Sequence, residues 1–585
     1  MYNYISKVIR YLNANSHNNK AQNVNQAEVV LLSTLAKNLD NLVEHLGSIN
    51  AIITRYLDMY LMLSTDSDPA NLLADMGRNL AHQDISMDIN ENITRIKNTF
   101  GHNSDLDIRH SSFNDTKDIV YASLYIGSLI DRGMLNDLSL ALIKFDQQCR
   151  DAKRSITIDE LTGYFSGLTD SSERSGYETL CDDLLSGNTV FLINGYSKFF
   201  TIATPSYVGR SVEEPTSQTV IRGPKEGFTE KTINNILLIR KRIKHKDLRV
   251  ETLDIGSVTH TMVTLMYLHK TAPDKVVQEV RTRLGKIEID GVLEGGYIEE
   301  LIKDDRYSIF PTFLSSEKPD SVSAALLEGK VAILVDGTPY VLTAPALLVE
   351  FLQASEDYYH HFIISSMIRF TRFIAFFLTL LVPAVYVAVT SFHQEILPTS
   401  LLVSIASQRE GVPFPGLIEA LTMEFTFEIL REAGIRMPRA IGPAISIVGA
   451  LVIGQAAVEA GIISAAMVIV VSITAISSFA IPNYEMSNAI RAVRFILMFM
   501  AGVLGLYGVF MGLIILTLQL CKINSMGIPY MTPIAPRIKG GNKDTIFRFP
   551  LWQLKKGSPS RRGTHSSVKQ QYPVVSKQKE EQVVR

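Results

Sequence analysis

The apolar positions of this chain change their pattern near residue 360. Before that point, apolar and polar residues mix as in helices and strands that bury one face. From Phe373 to Leu520 the chain contains no Lys and no Asp, and only fourteen charged residues in 148 positions. This change predicts a folded polar region, followed by an all-α membrane domain.

Two segments of the polar region have the same spacing of glycines, turn residues and β-rich stretches. The runs "GNTVFLINGYSKFFTIATP" and "GKVAILVDGTPYVLTAP" place Asn194-Gly195 and Asp336-Gly337 between β-rich stretches, at a constant offset of 142. Both dipeptides suit the tight turn of a β-hairpin, because that turn needs positive φ at its central residues. This shared frame predicts two α+β or α/β subdomains with equivalent hairpins; internal duplication and chance resemblance would both explain it.

Upstream of these hairpins, apolar residues repeat with alternating spacings of three and four. They are Leu32, Leu35, Leu39, Leu42, Leu46, Ile49, Ile53, Tyr56, Tyr60 and Leu63. Such a seam is typical of a coiled coil. It indicates a helix over 32–63, which either joins copies of the chain or packs inside its own domain.

Four apolar runs are long enough to cross the roughly 30 Å hydrocarbon core of a bilayer. They are Phe373 to Ser391, Ile441 to Glu459, Ile462 to Ile481 and Val493 to Leu520. Small residues at four-residue spacing, which let helices approach closely in lipid, occur in the second and fourth runs. These candidate packing residues are Gly442, Ser446, Ala450, Gly454, Gly508 and Gly512.

The stretch from Leu397 to Gly434 is apolar but interrupted by Gly, Pro and Glu. Irregular backbone at membrane depth must be buried or line water, so we expect a re-entrant or interfacial element and then an amphipathic helix. Polar residues there and in the second run would form a cation-attracting vestibule: Glu424, Glu428, Glu432, Gln455 and Glu459. The alternatives are a polar face in the lipid headgroups and, for Gln455, a bond between helices.

Charged residues near the first run, together with the N-terminal sequence and the cysteines, predict the membrane orientation of the chain and the compartment of its polar region. Arg369 and Arg372 before the first run favour an inside N-terminus. With four spans, the basic tail lies on the cytosolic side, but Arg491 and Arg494 lie on the opposite side. A fifth span near 397–407 would move these arginines to the cytosolic side and the tail to the opposite side. We prefer four spans. The N-terminus has no apolar signal segment, and the three cysteines show no paired spacing, which favours a cytosolic polar region with reduced thiols.

From Arg537 onward the chain has twelve Lys and Arg against three acidic residues. This bias predicts a disordered basic tail. The tail either contacts anionic lipids or has no partner.

The common signatures of catalysis are missing. The stretch "RGPKEGFTE" lacks the order of a phosphate-binding loop, and no dinucleotide, zinc-protease or hydrolase motif occurs elsewhere. We therefore expect no enzyme, no catalytic or metal residue, no cofactor and no nucleic-acid partner.

Several ordered motifs resemble one family. The stretches "RSVEEP" (210–215), "RGPKEGFTE" (222–230), "NNILLIRKRIKHKDL" (234–248), "IFPTFLSSEKPDSVSAALLEGKVAILVDGTPYVL" (309–342) and "EDYY" (356–359), followed by this span pattern, are similar to the A subunit of spore germinant receptors, the GerA family. The likeness covers roughly 100–537. Residues 1–97 and the tail lie outside it.

The resemblance implies a multi-pass protein of the spore inner membrane, whose polar region faces the spore core. It implies a permease-like B subunit and a lipoprotein C subunit as partners, and homo-oligomers that conduct ions when a nutrient is sensed. A germination modulator that acts as a non-conducting scaffold and a secondary transporter are the alternatives. The resemblance also implies a structural role for one signature, which we expect at the joint between the two subdomains: Arg222, Gly223, Pro224, Glu226, Gly227, Phe228 and Glu230.

The expected domain plan has five parts. They are a helical extension (1–97), two α/β subdomains (98–215 and 216–360), a membrane domain (361–525) and a basic tail (526–585).

Overall fold

The computed structural model describes residues 85–113, 119–151, 158–168, 170–206, 214–215, 218, 220–436, 452–537 and 544–554. The predicted heptad helix at 32–63 lies outside these residues. So do Gly442, Ser446, Ala450 and the last part of the tail.

A five-stranded antiparallel sheet forms the first subdomain, with strand order β1-β2-β4-β5-β3. Its elements are α1 (Ile89–Phe100), β1 (Leu106–Phe113), β2 (Ile119–Ile126), α2 (Arg132–Asp151), α3 (Ile158–Gly167), β3 (Ser171–Arg174), α4 (Tyr177–Leu185), β4 (Asn188–Ile193) and β5 (Phe199–Ala203). Leu138 and Leu142 of α2 and Phe165 of α3 pack on Phe191 and Phe200 of the sheet.

The second subdomain repeats this order of elements. They are α5 (Thr232–Arg242), β6 (Leu248–Ile255), β7 (Thr261–Leu268), α6 (Asp274–Leu284), α7 (Gly295–Ile302), β8 (Leu314–Ser316), α8 (Pro319–Leu327), β9 (Val331–Val335) and β10 (Val341–Ala344). Its sheet has the order β6-β7-β9-β10-β8. Helices α6 and α7 cover one face of this sheet, and α5 and α8 cover the other.

Both predicted hairpins are present, in one register, but their connections, 194–198 and 336–340, are five residues long and not the predicted tight turns. Phe191 faces Phe200 in the first, and Ile333 faces Leu342 in the second, so each pair keeps the offset of the sequence frame. Gly195 and Gly337 adopt φ values of +84° and +93°, which only glycine takes up without strain. Equal strand order and equal register favour duplication over chance.

Helices dominate the chain after residue 361. They are α9 (Phe362–Ser391), α10 (Thr399–Arg409), α11 (Gly416–Arg436), α12 (Ala465–Phe479), α13 (Tyr484–Leu504) and α14 (Leu506–Lys522), with a helical stretch at 452–459 before α12. Within the described part of the chain, α9 and α13 are long and apolar enough to cross a membrane. Helix α12 has 15 residues, about 22 Å.

The fourth predicted span, Val493 to Leu520, is wrong as a single helix. Gly505 ends α13 with φ +62°, and its N–H donates to the Ala501 carbonyl at 2.9 Å. Helix α14 then folds back along α13. A Cβ on Gly508 would collide with the Met500 carbonyl, and one on Gly512 with the Leu497 side chain.

Replacing Gly505 by alanine is expected to destabilise the chain by about 1–2 kcal/mol, because an L-residue resists this backbone conformation. The added Cβ would also lie 2.7 Å from His393 Cε1 and 2.9 Å from Phe392 Cβ. The thermal midpoint of the detergent-purified chain should fall. Gly163→Ala in α3 is the control, since nothing lies within 4 Å of that position; equal midpoints would contradict the tight turn.

After α14 the chain re-enters the second subdomain through the hairpin β11 (Asn524–Ser525) and β12 (Ile528–Pro529). Ser525 Oγ donates to the Thr312 carbonyl at 2.6 Å, and Leu348 N–H donates to the Tyr530 carbonyl at 3.1 Å. Met526 and Ile528 join the core of that subdomain. The predicted disordered tail therefore does not begin at 526, because these side chains have a core to bury in.

The helices and the second subdomain share one core. Phe351 and Tyr530 lie in the same apolar cluster as Leu380 of α9, Leu497 of α13 and Leu516 of α14. Close-packed apolar side chains therefore join the helices to the second subdomain.

Candidate functional site

Helices α11 and α13 pack antiparallel along most of their length. Leu417 near the start of α11 contacts Gly502 near the end of α13. Further along, the rings of Phe425 and Phe495 lie 5.6 Å apart. At the other end, the Arg431 guanidinium lies 5.9 Å from the Tyr484 ring centre.

Charged side chains line this interface. Arg494 Nη2 lies 2.7 Å from Glu424 Oε2 and 3.3 Å from Glu428 Oε1. One turn away, Arg491 Nη1 contacts Glu428 Oε2 at 2.6 Å, and Arg431 Nη2 lies 3.6 Å from the same oxygen. We call these five residues, Glu424, Glu428, Arg431, Arg491 and Arg494, the charge ladder.

The centre of the charge ladder is removed from solvent. The side chains of Glu424 and Arg494 are each only 1% exposed. In the described part of the chain, neither oxygen of Glu424 accepts a hydrogen bond in good geometry, and Arg494 Nε donates none. Buried polar groups are nearly always hydrogen-bonded, so this pair is held by charge attraction with its bonding capacity partly unused.

A buried ion pair of this kind contributes little to the stability of the folded protein. Desolvation costs several kcal/mol per ion, and apolar replacements of similar volume are often neutral or stabilising. Ionisable groups inside a membrane bundle are costly and mark functional positions. The charge ladder is therefore the best candidate for a working part of the helical domain.

The structure separates the five residues predicted for a vestibule. Glu424 and Glu428 belong to the charge ladder. Glu432 is exposed and pairs with Arg436 at 2.6 Å, while Gln455 Nε2 donates to Glu459 Oε1 at 2.9 Å in a second exposed pair. That these groups line a vestibule in an assembled complex stays a prediction.

Sequence reasoning missed the basic half of the site. Arg491 and Arg494 stood out as two arginines in an apolar helix, but only as a difficulty for membrane orientation. Their i, i+3 spacing places them on one face, as the spacing of Glu424 and Glu428 does for α11. The sequence does not show that these two faces contact each other, because the contact depends on how α11 packs on α13.

The signature Arg222–Glu230 lies at another junction than the predicted one. Ile221 N–H donates to Glu356 Oε1 at 2.7 Å, and a Cβ on Gly223 would lie 2.8 Å from the Tyr359 ring. Gly337 N–H donates to the Glu230 carbonyl at 2.8 Å. The signature thus connects the second subdomain to the linker before α9, where "EDYY" lies.

The two sheets meet elsewhere. Arg240 of α5, 1% exposed, pairs with Asp105 at 2.8 Å. Arg249 of β6 donates to the Thr99 carbonyl at 3.0 Å. The prediction that the signature forms the joint between the subdomains is therefore corrected. A turn with two glycines and a proline can approach the Tyr359 ring closely. The joint is instead made by arginines, whose long side chains reach from one subdomain to the other.

A second buried charge cluster lies where the linker enters α9. Asp357 accepts from Arg369 Nε at 2.8 Å and from Arg372 Nη1 at 2.8 Å, and Arg369 Nη1 also contacts Asp544 Oδ1 at 2.7 Å. Tyr358 donates its hydroxyl to Asp544 at 2.6 Å. Burial raises the pKa of Tyr358, and the Asp544 carboxylate raises it further. We call Asp357, Tyr358, Arg369, Arg372 and Asp544 the linker cluster.

Among the described residues, no group of three or more His, Cys, Asp or Glu side chains is placed to hold a metal ion. The charge ladder and the linker cluster both pair acids with arginines. Their chemistry is that of ion pairing within the protein.

A family model described as "Bacillus/Clostridium GerA spore germination protein" matches residues 94–559. The chain belongs to the GerA family. It is 46% identical over 472 residues to spore germination protein KA of Bacillus subtilis, a match that covers 81% of this chain and 86% of the relative. It is 39% identical over 433 residues to spore germination protein A1 of the same organism, covering 74% and 88%.

The chain is also similar to an uncharacterized membrane protein and to a solved domain of a germinant receptor. The chain is 47% identical over 392 residues to the uncharacterized membrane protein YfkQ of Bacillus subtilis, covering 67% and 76%. A crystal structure of the N-terminal domain of the A subunit of the Bacillus megaterium spore germinant receptor GerK3 is 35% identical, covers 46% of this chain and 98% of that chain, and has a TM-score of 0.36. The matched GerA region, 94–559, includes both subdomains, the charge ladder and the linker cluster.

Proposed function

We propose that this chain is the A subunit of a spore germinant receptor and that its charge ladder takes part in nutrient-triggered ion release. GerA membership and relatives named as spore germination proteins support the process. The single observation that supports the mechanism is the buried, incompletely bonded pair Glu424–Arg494 in an apolar bundle.

The chemistry of the charge ladder suits a two-state element. Glu428 already contacts both Arg491 and Arg494, so a small sliding of α11 along α13 transfers Glu428 from one arginine to the other. Packed interfaces tend to switch between discrete arrangements. We infer that one arrangement is closed and that the other opens a polar path.

We further propose that the helical domain crosses the spore inner membrane an even number of times. The chain enters α9 from the second subdomain and returns to it through β11 and β12 directly after α14. Both ends of the helical domain would then lie on one side of the membrane, which requires an even number of crossings; the fourth predicted run supplies two antiparallel helices, α13 and α14, and is not a single straight span. The Arg491 and Arg494 difficulty disappears, because both are paired inside the bundle.

Oligomerisation and partner subunits complete the proposal. A permease-like B subunit would hold the nutrient and a lipoprotein C subunit would join the complex, while copies of this chain would surround the conducting path. A non-conducting scaffold that modulates germination and a secondary transporter are the competing functions. No enzymatic step is part of the proposal.

The test uses the detergent-purified chain, alone and with its B and C partners, for oligomeric mass and then for ion flux in vesicles. Glu424→Gln and Glu428→Gln are expected to alter the flux while the mass is retained. Glu279→Gln, which changes an exposed acid of α6 that pairs with Arg283, is the control and should change neither.

Each competing function gives a different result. Unchanged flux in both ladder variants would remove the charge ladder from conduction. A complex that assembles normally but passes no ions would favour the scaffold. Substrate uptake by this chain alone would favour the transporter.

A further inference from the structure

The C-terminal segment 544–554 is held on the start of α9 by buried polar contacts. Asp544 belongs to the linker cluster, and the Gln353 amide donates to its carbonyl at 2.7 Å. Arg548 is 5% exposed and donates to the His360 carbonyl at 2.7 Å. Burial lowers the pKa of Arg548, and the nearby Arg369 charge lowers it further.

This segment runs antiparallel to the first turns of α9. Phe547 stacks on Phe370 with ring centres 6.1 Å apart, and Trp552 meets the edge of Phe362 at 5.8 Å. Between them, Ser366 Oγ donates to the Arg548 carbonyl at 3.0 Å. Phe362, Ser366 and Phe370 follow each other at four-residue spacing, so one face of α9 carries the segment.

The outward side of the segment is apolar and uncovered. Phe547 is 53% exposed and Trp552 is 66% exposed, and Phe549 and Leu551 are also exposed. The patch continues onto α9 through Ile363, Met367 and Phe370. Proteins in water rarely leave a contiguous apolar surface of this kind uncovered unless it binds something.

We propose that residues 547–552 insert their apolar side chains into the headgroup region of the lipid leaflet that faces the two sheets. The inference rests on the proposal that α9 crosses the membrane. It is supported by the position of the segment beside the first turns of a candidate span, and by aromatic side chains, which concentrate at membrane interfaces. Asp544 and Arg548 keep the segment on α9 at this depth.

The surrounding sequence favours lipid over a protein partner. Lys555 and Lys556 follow the segment directly, and basic residues beside an interfacial element attract anionic headgroups. Phe547 packs on Phe370, about two turns further along α9 than Phe362, on which Trp552 packs, so Phe547 should lie deeper than Trp552.

The chain offers its own probe, because Trp552 is its single tryptophan. The full-length chain is reconstituted into phosphatidylcholine vesicles with and without phosphatidylglycerol. Its emission is then quenched by lipids brominated near the headgroup, by lipids brominated deep in the acyl chain, and by acrylamide from the water. We expect strong loss of emission with shallow bromines, weaker loss with deep bromines and little with acrylamide.

Two results would overturn the inference. Quenching by acrylamide without quenching by brominated lipid would place Trp552 in water. Resistance to all quenchers would place it under protein, as a partner subunit or a second copy would do. A chain that fails to enter vesicles at all would instead contradict the membrane function on which the inference rests.

A variant tests the docked geometry without touching the buried contacts. Phe547→Ser removes the deeper ring, so acrylamide quenching of Trp552 should rise and quenching by shallow bromines should fall. Phe510→Ser is the control, because Phe510 is an aromatic residue of α14 that is also more than half exposed; it should leave Trp552 quenching unchanged. Equal quenching in both variants would contradict the proposed anchor.

Discussion

Replacing Asp357 by asparagine is expected to lower the free energy of unfolding by about 3–5 kcal/mol, since it removes a buried carboxylate that two arginines share and leaves Arg369 with Asp544 alone. Asp357 is 1% exposed and is the shared acceptor of Arg369 and Arg372. Asparagine keeps the shape of the side chain. The loss therefore reports charge, and it should appear as a lower denaturation midpoint of the detergent-purified chain.

Glu432→Gln is the matched control for this change. It also converts an acid paired with an arginine into an amide, but the pair is exposed, at 56% for Glu432 and 78% for Arg436. Exposed pairs contribute about 0–1 kcal/mol. Equal effects of the two substitutions would show that the linker cluster is not closed to solvent.

Replacing Arg494 by methionine should cost a similar amount, about 3–5 kcal/mol, because Glu424 then stays buried without a cation. Glu424→Leu in the same chain removes the stranded charge and should recover most of the loss. The double variant would thus be more stable than Arg494→Met alone.

A double-mutant cycle on these two positions measures the coupling directly. Residues in contact deviate from additivity by about 0.5–3 kcal/mol, and a pair this buried should fall at the upper end. Purely additive effects would mean that Glu424 and Arg494 do not form the pair seen at 2.7 Å.

The fold of the two subdomains could be predicted where a few neighbouring residues determine the local structure. Asn194-Gly195 and Asp336-Gly337 correctly marked both hairpins, because Asn, Asp and Gly favour turns, but the connections are five residues long and only the glycines have positive φ. The equal strand order of the two sheets depends on how each whole subdomain packs. In the sequence, it was indicated only by the constant offset of 142 between the two hairpin segments.

The helical half was predictable in composition but less so in geometry. The run from Val493 to Leu520 contains Gly502, Gly505, Gly508 and Gly512, and sequence does not distinguish a glycine that ends a helix from one that admits a neighbour. Gly505 does the former and Gly512 the latter. The four-span count and the vestibule remain proposals for the same reason.

Long-range pairing was the part that sequence did not supply. The spacing of Glu424 and Glu428 correctly put both acids on one face of α11, but their partners lie on α13. Similarly, Arg369 of α9 pairs with Asp544, which lies beyond α14. Such contacts depend on how the helices pack in three dimensions.

The central claim is that the charge ladder is retained for ion release and not for stability. It is tested by nutrient-triggered ion release from spores whose copy of this chain carries Glu424→Leu together with Arg494→Met, after normal membrane levels of the variant have been verified. The account predicts that the variant folds and accumulates but that ion release is lost or greatly slowed, with Glu279→Gln spores as the unaffected control. Release at the parental rate would contradict it.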